Sequence, residues 1–192
     1  TLWRVEEPDP AGRSVRTRPA ERIDVRYPDG PRDSEAITVD IARGEVLIFS
    51  KRTVPAVVYR IALDEDGPQM AERVASLDHI PQPSEEEIAR GGRVARFRAQ
   101  VTAASLDCSG EGLVVLSYDA LHYYRRLPGQ DWAEALPGQV PARVPLRLLP
   151  QAEAMSFDAS CRNLYVGSER VPVPLLRYRY RARPAATDAA RR

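Results

Sequence analysis

Residues 101–118 read VTAASLDCSGEGLVVLSY, and this stretch decides the fold. Two short apolar segments flank a polar turn that begins at Asp107 and contains Gly110. A short apolar run bounded by turn residues is typical of a buried strand, and glycine readily adopts the positive φ of a tight turn. The stretch therefore predicts a hairpin of two buried strands.

The same pattern occurs twice more in the chain. Residues 34–51 read SEAITVDIARGEVLIFSK, and residues 152–169 read AEAMSFDASCRNLYVGSE. Each copy has a first strand that ends in Asp, a polar turn, and a second strand that ends in Ser and a polar residue. We expect the carboxylates of these aspartates to cap the turns; they are Asp40, Asp107 and Asp158. A third apolar segment follows each copy, at residues 56–60, 121–125 and 175–179.

The spacing of these repeats indicates a β-propeller. The three aspartates are 67 and then 51 residues apart, against roughly 40–50 residues for a four-stranded propeller blade. Inner strands of a blade are covered on both faces and therefore form continuous apolar runs, as residues 46–49 and 113–116 do. The prediction is an all-β fold with about three to four four-stranded antiparallel blades.

The predicted blades fill residues 1–182. Their boundaries are residues 1–30 for the end of a preceding blade, 31–100, 101–150 and 151–182 for three further blades, and 183–192 for a disordered tail. The first of the three blades contains an insertion, where Ser84 and Glu87 form a capping box that begins a helix. Gly91-Gly92 is expected to end this helix.

Composition excludes several classes of protein. The chain has 192 residues, 43% of them hydrophobic, and a formal net charge of +1. Proteins that bind nucleic acid are usually more basic, so we interpret the alternating Arg and Tyr residues of 177–181 as an outer strand. No apolar run is long enough to span a membrane. The sequence starts at Thr1 with no signal peptide, so the compartment is secreted or periplasmic if a signal precedes this residue, and otherwise cytoplasmic.

Two cysteines, Cys108 and Cys161, could form one disulfide. Cysteine pairing does not follow from sequence alone. We favour the interpretation that both are small residues in surface turns and remain unpaired.

The strand pairs resemble the inner strands of six-bladed β-propellers of bacterial phytase-like, SdiA-regulated-like and TolB-like proteins. The resemblance rests on residues 34–37 with 50–51, and on residues 151–155 with 164–169, and it extends over most of residues 20–181. It implies a six-bladed fold. It implies no single activity, because propellers have many functions.

Three blades and part of a fourth do not close a six-bladed ring. The expectation is either a longer protein, of about twice this length on the blade count, or self-association that completes the ring.

The repeats also predict a site at the mouth of the axial channel. Equivalent residues begin the innermost strands and follow the second strands, and antiparallel pairing brings both sets to one end. These residues are Glu35, Thr102, Glu153, Lys51, Tyr118 and Glu169. In phytase-like propellers such carboxylates hold Ca²⁺, so the resemblance implies Glu35, Glu153 and Glu169 as metal ligands, with Lys51 facing an anion. The alternative is a set of ion pairs that line a solvated channel.

Three functions are compatible with the repeats and the predicted channel mouth. The first is a propeller that acts as a scaffold or binds a small molecule, cation or peptide at the channel mouth. The second is a phytase-like metal-dependent hydrolase of phosphate or ester substrates, and the third is a truncated product without activity. A catalytic triad of Ser117, Asp119 and His122 is not expected, because all three lie on one hairpin without a nucleophile elbow.

Overall fold

The structure is a computed structural model that describes residues 1–7, 11, 19–147, 149–172 and 174–181. The predicted tail, residues 183–192, lies outside the described residues. The elements up to the inserted helix are β1 (Leu2–Arg4), β2 (Glu21–Ile23), β3 (Val25–Arg26), β4 (Ser34–Asp40), β5 (Glu45–Ser50), β6 (Val57–Ala62), β7 (Gln69–Met70), β8 (Glu72–Ser76) and α1 (Glu85–Arg96). They are followed by β9 (Val101–Leu106), β10 (Gly112–Ser117), β11 (Ala120–Arg125), α2 (Trp132–Ala135), β12 (Ala142–Pro145), β13 (Ala152–Phe157), β14 (Asn163–Ser168) and β15 (Leu176–Arg179).

The main strands form antiparallel sheets that are arranged as propeller blades, which confirms the predicted fold class. The first blade has the strand order β4-β5-β6-β8, the second has β9-β10-β11-β12, and the third has β13-β14-β15. The innermost strands lie side by side, because β9 contacts both β4 and β13. Strands β1 and β2 form a separate antiparallel pair, and β3 pairs in parallel with β7.

The second strand of each blade forms the core. Strand β10 is buried along its whole length, and β5 is buried at every residue after Glu45. This burial explains the continuous apolar runs, because both faces of these strands contact apolar side chains. The core of the first two blades also includes Tyr124 and Trp132, both of which are fully buried.

Polar contacts join neighbouring blades along the axis. The Leu106 N–H in β9 donates to Thr38 Oγ1 in β4 at 3.1 Å, and Thr102 Oγ1 donates to the Ala152 carbonyl at 2.7 Å. Where β4 and β11 end, the guanidinium of Arg126 pairs with Asp40 at 2.6 Å and links the first two blades. Both partners of this ion pair are buried.

The turn aspartates behave as expected in two of the three blades. Asp107 accepts the N–H groups of Ser109 and Gly112, and Asp158 accepts those of Arg162 and Asn163. Asp40 differs, because its carboxylate pairs with Arg126 across the blade interface.

The inserted helix is longer than predicted. Ser84 and Glu87 form the capping box as expected. Gly92, with φ of 62° and ψ of −150°, interrupts the helical backbone, but the helix resumes and ends at Arg96. The glycines therefore end the first helical segment as predicted, whereas the second segment, up to Arg96, was not predicted.

The interpretation that the cysteines remain unpaired was wrong. Cys108 and Cys161 form a disulfide with their Cα atoms 5.9 Å apart. Each lies in the turn between the first two strands of its blade, and neighbouring blades place these turns next to each other. The disulfide therefore links the second blade to the third.

The pairing of the second and third strands shows which residues of the third strands are equivalent. The first residues of β5, β10 and β14 pair with Ala62, Arg125 and Arg179, respectively. In this register Arg60 is equivalent to Tyr123 and Arg177.

Candidate functional site

A β-bulge recurs at the same place in all three blades. In the first blade, the register between the first two strands shifts between Ser34 and Ala36. In the second blade it shifts where β9 begins opposite the end of β10, and in the third blade it shifts between Ala152 and Ala154. The bulged residues are Glu35, Thr102 and Glu153, which are three of the six predicted site residues. Bulges re-aim side chains and are frequent next to functional sites. The repeated bulge therefore directs one side chain from each blade to the same end of the molecule.

Lys51 lies at the centre of the resulting cluster. Its ammonium contacts the carboxylate of Glu35 and lies 3.3 Å from Glu153 Oε1. The ammonium is also 5.4 Å from the centre of the Tyr118 ring, and the Tyr118 hydroxyl donates to Glu153. Because Lys51 is only 7% exposed, its charge depends on these partners.

Glu169 completes the cluster through a hydrogen bond with Glu153. The bond and the negative charge of Glu153 raise the pKa of Glu169. The structure thus brings together five of the six predicted residues, namely Glu35, Lys51, Tyr118, Glu153 and Glu169. The sixth, Thr102, is buried and donates its hydroxyl to the Ala152 carbonyl.

Burial and charge act in opposite directions on the central groups. Burial alone would lower the pKa of Lys51, but hydrogen bonds with Glu35, Tyr118 and Glu153 raise it above its usual value. Burial alone would raise the pKa of Glu153, but hydrogen bonds with Tyr118, Glu169 and Lys51 lower it. Burial and the bond to Glu153 raise the pKa of Tyr118. The cluster therefore holds one cation among three acidic side chains.

Calcium binding stays a prediction. Within the part of the chain that the structure describes, no group of three or more His, Cys, Asp or Glu side chains is placed to hold a metal ion. The Lys51 ammonium lies between Glu35 and Glu153, two of the proposed ligands. A Ca²⁺ ion that used both carboxylates would have to displace it.

A groove of about 550 Å³ opens beside Glu35. It lies between the first complete blade and the strands that precede it, and its lining includes Tyr27, Arg32 and Ser34. None of these three residues was assigned to a site from the sequence. Arg32 is held there by Asp29 and by the hydroxyl of Tyr59.

The residues Ser117, Asp119 and His122 lie together but do not form a catalytic triad. The Ser117 hydroxyl lies 2.8 Å from Asp119 Oδ1, to which it donates, and 3.1 Å from His122 Nε2. The hydroxyl also lies 3.2 Å from the Ala120 carbonyl, and His122 Nδ1 is buried without a hydrogen-bond partner among the described residues. In a catalytic triad the carboxylate holds the histidine through Nδ1, and no residue that the structure describes does so here. Both the Ser117 and the His122 side chains are also buried.

We expect the buried His122 to make the protein acid-sensitive. Burial lowers its pKa from 6.5 to about 4. Between these two pH values, the unfolded chain binds a proton at this histidine and the folded chain does not. The contribution to stability is complete above pH 6.5 and is lost as the pH falls towards 4. The free energy of unfolding should therefore decrease by about 2.5 kcal/mol between pH 7 and pH 4.5 because of this group.

Denaturant unfolding at both pH values tests this expectation. His122→Gln should remove most of the additional loss at pH 4.5, whereas His79→Gln, which replaces an exposed histidine, should leave it unchanged. Equal acid sensitivity of the wild type and His122→Gln would contradict the prediction.

Comparisons with known proteins give little beyond these observations. No family model matches the chain, and no curated protein matches it. The solved structure of a nidogen/laminin complex is similar, with a TM-score of 0.45 and 11% identity over 76% of this chain and 44% of the other. The chain spans less than half the length of that similar chain, and a likeness at this TM-score does not indicate a function.

No helix of the described residues is long and apolar enough to cross a membrane.

Proposed function

We propose that this chain is a β-propeller binding module whose channel mouth takes a small ligand or peptide with a cationic group. The observation that carries the proposal is the bulge repeated in three blades, which directs Glu35 and Glu153 to one end of the axis. Three acidic side chains surround a single ammonium there, so the mouth favours positive charge. We also propose, from the sequence resemblance alone, a phytase-like or TolB-like relationship and a total of six blades.

Lys51 defines how such a ligand would bind. Its ammonium contacts two carboxylates. We expect the cationic group of the ligand to contact carboxylates of the cluster in the same way. Glu169 lies at the exposed side of Glu153, whose carboxylate raises the pKa of Glu169. A cationic ligand that contacts these two carboxyl groups would favour their charged forms, so its binding should weaken as the pH falls.

The hydrolase alternative has less support. Among the described residues, Ser117 and His122 are buried, and the Ser117 hydroxyl lies within hydrogen-bond distance of Asp119. Phosphate or ester hydrolysis stays a prediction that a calcium-dependent activity would support.

The disulfide bears on the compartment. Disulfides persist in oxidising environments and are rare in the cytosol. We infer that the secreted or periplasmic alternative is favoured over the cytoplasmic one.

A thermal-shift experiment tests the proposed site. Ca²⁺, spermidine and a lysine-containing peptide are compared with phosphate and citrate at equal ionic strength. A ligand at a hundredfold excess over its Kd stabilises the folded state by about 2.7 kcal/mol, which corresponds to a shift of several degrees. We expect at least one cation to raise the melting temperature and Glu153→Gln to remove most of this shift.

The control variant is Glu65→Gln, which replaces an exposed glutamate in a loop of the first blade. A shift with Ca²⁺ alone would favour the metal form of the proposal, and a shift with an organic cation would favour an amine ligand. Stabilisation by anions only, or by cations to the same degree in Glu153→Gln, would overturn it.

A further inference from the structure

The outer edge of the third blade differs from the outer edges of the first two. Strands β8 and β12 cover the third strands of their blades, whereas β15 (Leu176–Arg179) has no strand on its outer side among the described residues. Tyr180 donates its N–H to Arg162, towards the inside of the blade. Because neighbouring residues of a strand alternate, Arg177 and Arg179 direct their N–H and C=O groups to the open edge.

The two covering strands share a sequence pattern. Residues 69–76 read QMAERVAS and residues 139–146 read QVPARVPL, so Gln is followed three residues later by Glu or Ala and then by Arg-Val. The strand β2, which pairs with β1, reads Glu21-Arg22-Ile23 and matches only the Glu-Arg-apolar part of this pattern, because residue 18 is Arg.

The glutamine of the pattern binds the backbone of the covered strand. Gln69 accepts the Ala62 N–H and donates to the Ala62 carbonyl, both at 3.0 Å. Gln139 forms the same pair of bonds with Arg125, at 2.7 and 2.8 Å. The register makes Arg179 the equivalent residue of the third blade. Its outward N–H and carbonyl are therefore the expected partners of a third glutamine.

The glutamate of the pattern pairs with an arginine of the covered strand. Arg60 contacts Glu72 at 2.8 Å, and Arg4 forms the corresponding pair with Glu21. Arg177 is the equivalent of Arg60 in the third blade. It is exposed and forms no ion pair with any residue that the structure describes. A glutamate placed opposite Arg177 would complete the third example of this contact.

We propose that β15 binds an extended peptide segment in antiparallel orientation, with a Glu opposite Arg177 and a Gln three residues earlier at Arg179. Strand addition of this kind gains affinity from main-chain hydrogen bonds and specificity from the side chains. The copies at residues 69–76 and 139–146 are already used in the fold. Residues 182–192 contain neither Gln nor Glu. The occupant that we assign to this edge is a peptide segment of a partner protein with the same Gln-x-x-Glu-Arg-Val pattern.

A labelled peptide with the sequence QMAERVAS, blocked at both ends, serves as the probe. Fluorescence anisotropy with the full 192-residue chain should show saturable binding. Arg177→Glu should weaken it at least tenfold, and Arg162→Glu, which reverses an exposed charge in a turn of the same blade, should leave it unchanged. The peptide QMARRVAS should show the opposite preference and bind Arg177→Glu more tightly than the wild type.

A peptide N-methylated at alternate residues tests the backbone contribution without altering the protein, and one of the two methylation registers should abolish binding. Absence of binding at millimolar peptide, or equal affinity for Arg177→Glu and Arg162→Glu, would overturn the proposal. A wild-type dimer in light scattering that becomes a monomer in Arg177→Glu would also overturn it, because a second copy would then occupy the edge.

Discussion

Replacing Arg126 by Met should lower the free energy of unfolding by about 3–5 kcal/mol, which is the cost of breaking a buried ion pair. The guanidinium pairs with Asp40 at 2.6 Å, and only 7% and 1% of the two side chains are exposed. The guanidinium also lies 4.9 Å from the centre of the buried Trp132 ring. Met retains much of the packing but leaves the Asp40 carboxylate buried without its counter-charge. Urea unfolding measures the loss, which should lower the melting temperature by about 10 °C.

The neighbouring Arg125→Met is the matched control. Arg125 lies 3.7 Å from Glu111 and is 28% exposed, so removing its charge should cost less than about 1 kcal/mol. The double variant Arg126→Met with Asp40→Leu removes both buried charges and should recover part of the stability. A loss from Arg126→Met no larger than that from Arg125→Met would show that the ion pair does not hold the two blades together.

The ion pair between Arg126 and Asp40 could not be predicted from the sequence. Asp40 belongs to the repeat, and the repeat predicted that all three aspartates would cap turns. Its partner Arg126 follows β11 and lies outside the three aligned copies, so no pattern connects the two residues. Contacts between blades depend on how sheets pack, and a comparison of each repeat with the others contains no information on that packing.

The channel-mouth cluster was more predictable, because it depends only on equivalence within the repeats. Glu35 and Glu153 occupy the same position in two copies, and Lys51 and Glu169 occupy a second one. Antiparallel pairing then brings these two positions to the same end of each blade. The bulge that re-aims Glu35 and Glu153 was not predicted, since one additional residue in a strand leaves no mark on a short apolar pattern.

The outer strands of the first two blades share a short pattern that is visible in the sequence. The Gln-x-x-(Glu/Ala)-Arg-Val pattern occurs at residues 69–74 and 139–144, before and after the second repeat. It is short and polar, so a search for apolar periodicity does not detect it. Its meaning depends on the hydrogen bonds of Gln69 and Gln139, which only the structure shows.

The disulfide could also have been inferred once blades were assumed. Cys108 follows Asp107 directly, and Cys161 lies three residues after Asp158, so both occupy the same turn of neighbouring blades. We expect its removal in Cys108→Ser to lower the free energy of unfolding by about 4 kcal/mol, the loop-closure value for a sequence separation of 53 residues. The loss should be concentrated in β13–β15, because the disulfide is one of the few covalent or polar links between the third blade and the second.

Hydrogen exchange tests the location of this effect, and denaturant unfolding tests its size. The remaining polar links of the third blade include the bonds from Thr102 to Ala152 and from Tyr180 to Asp107, so β13–β15 should lose protection before β4–β6 does.

Cys161 offers a sharper comparison, because its φ of 51° lies in the left-handed region that favours glycine. Cys161→Ser and Cys161→Gly both remove the disulfide, but the glycine variant also relieves this backbone conformation and should be the more stable by about 0.5–1 kcal/mol. If reduction of the wild type left both the unfolding midpoint and the exchange of β13–β15 unchanged, the noncovalent contacts of the third blade would be sufficient to hold it.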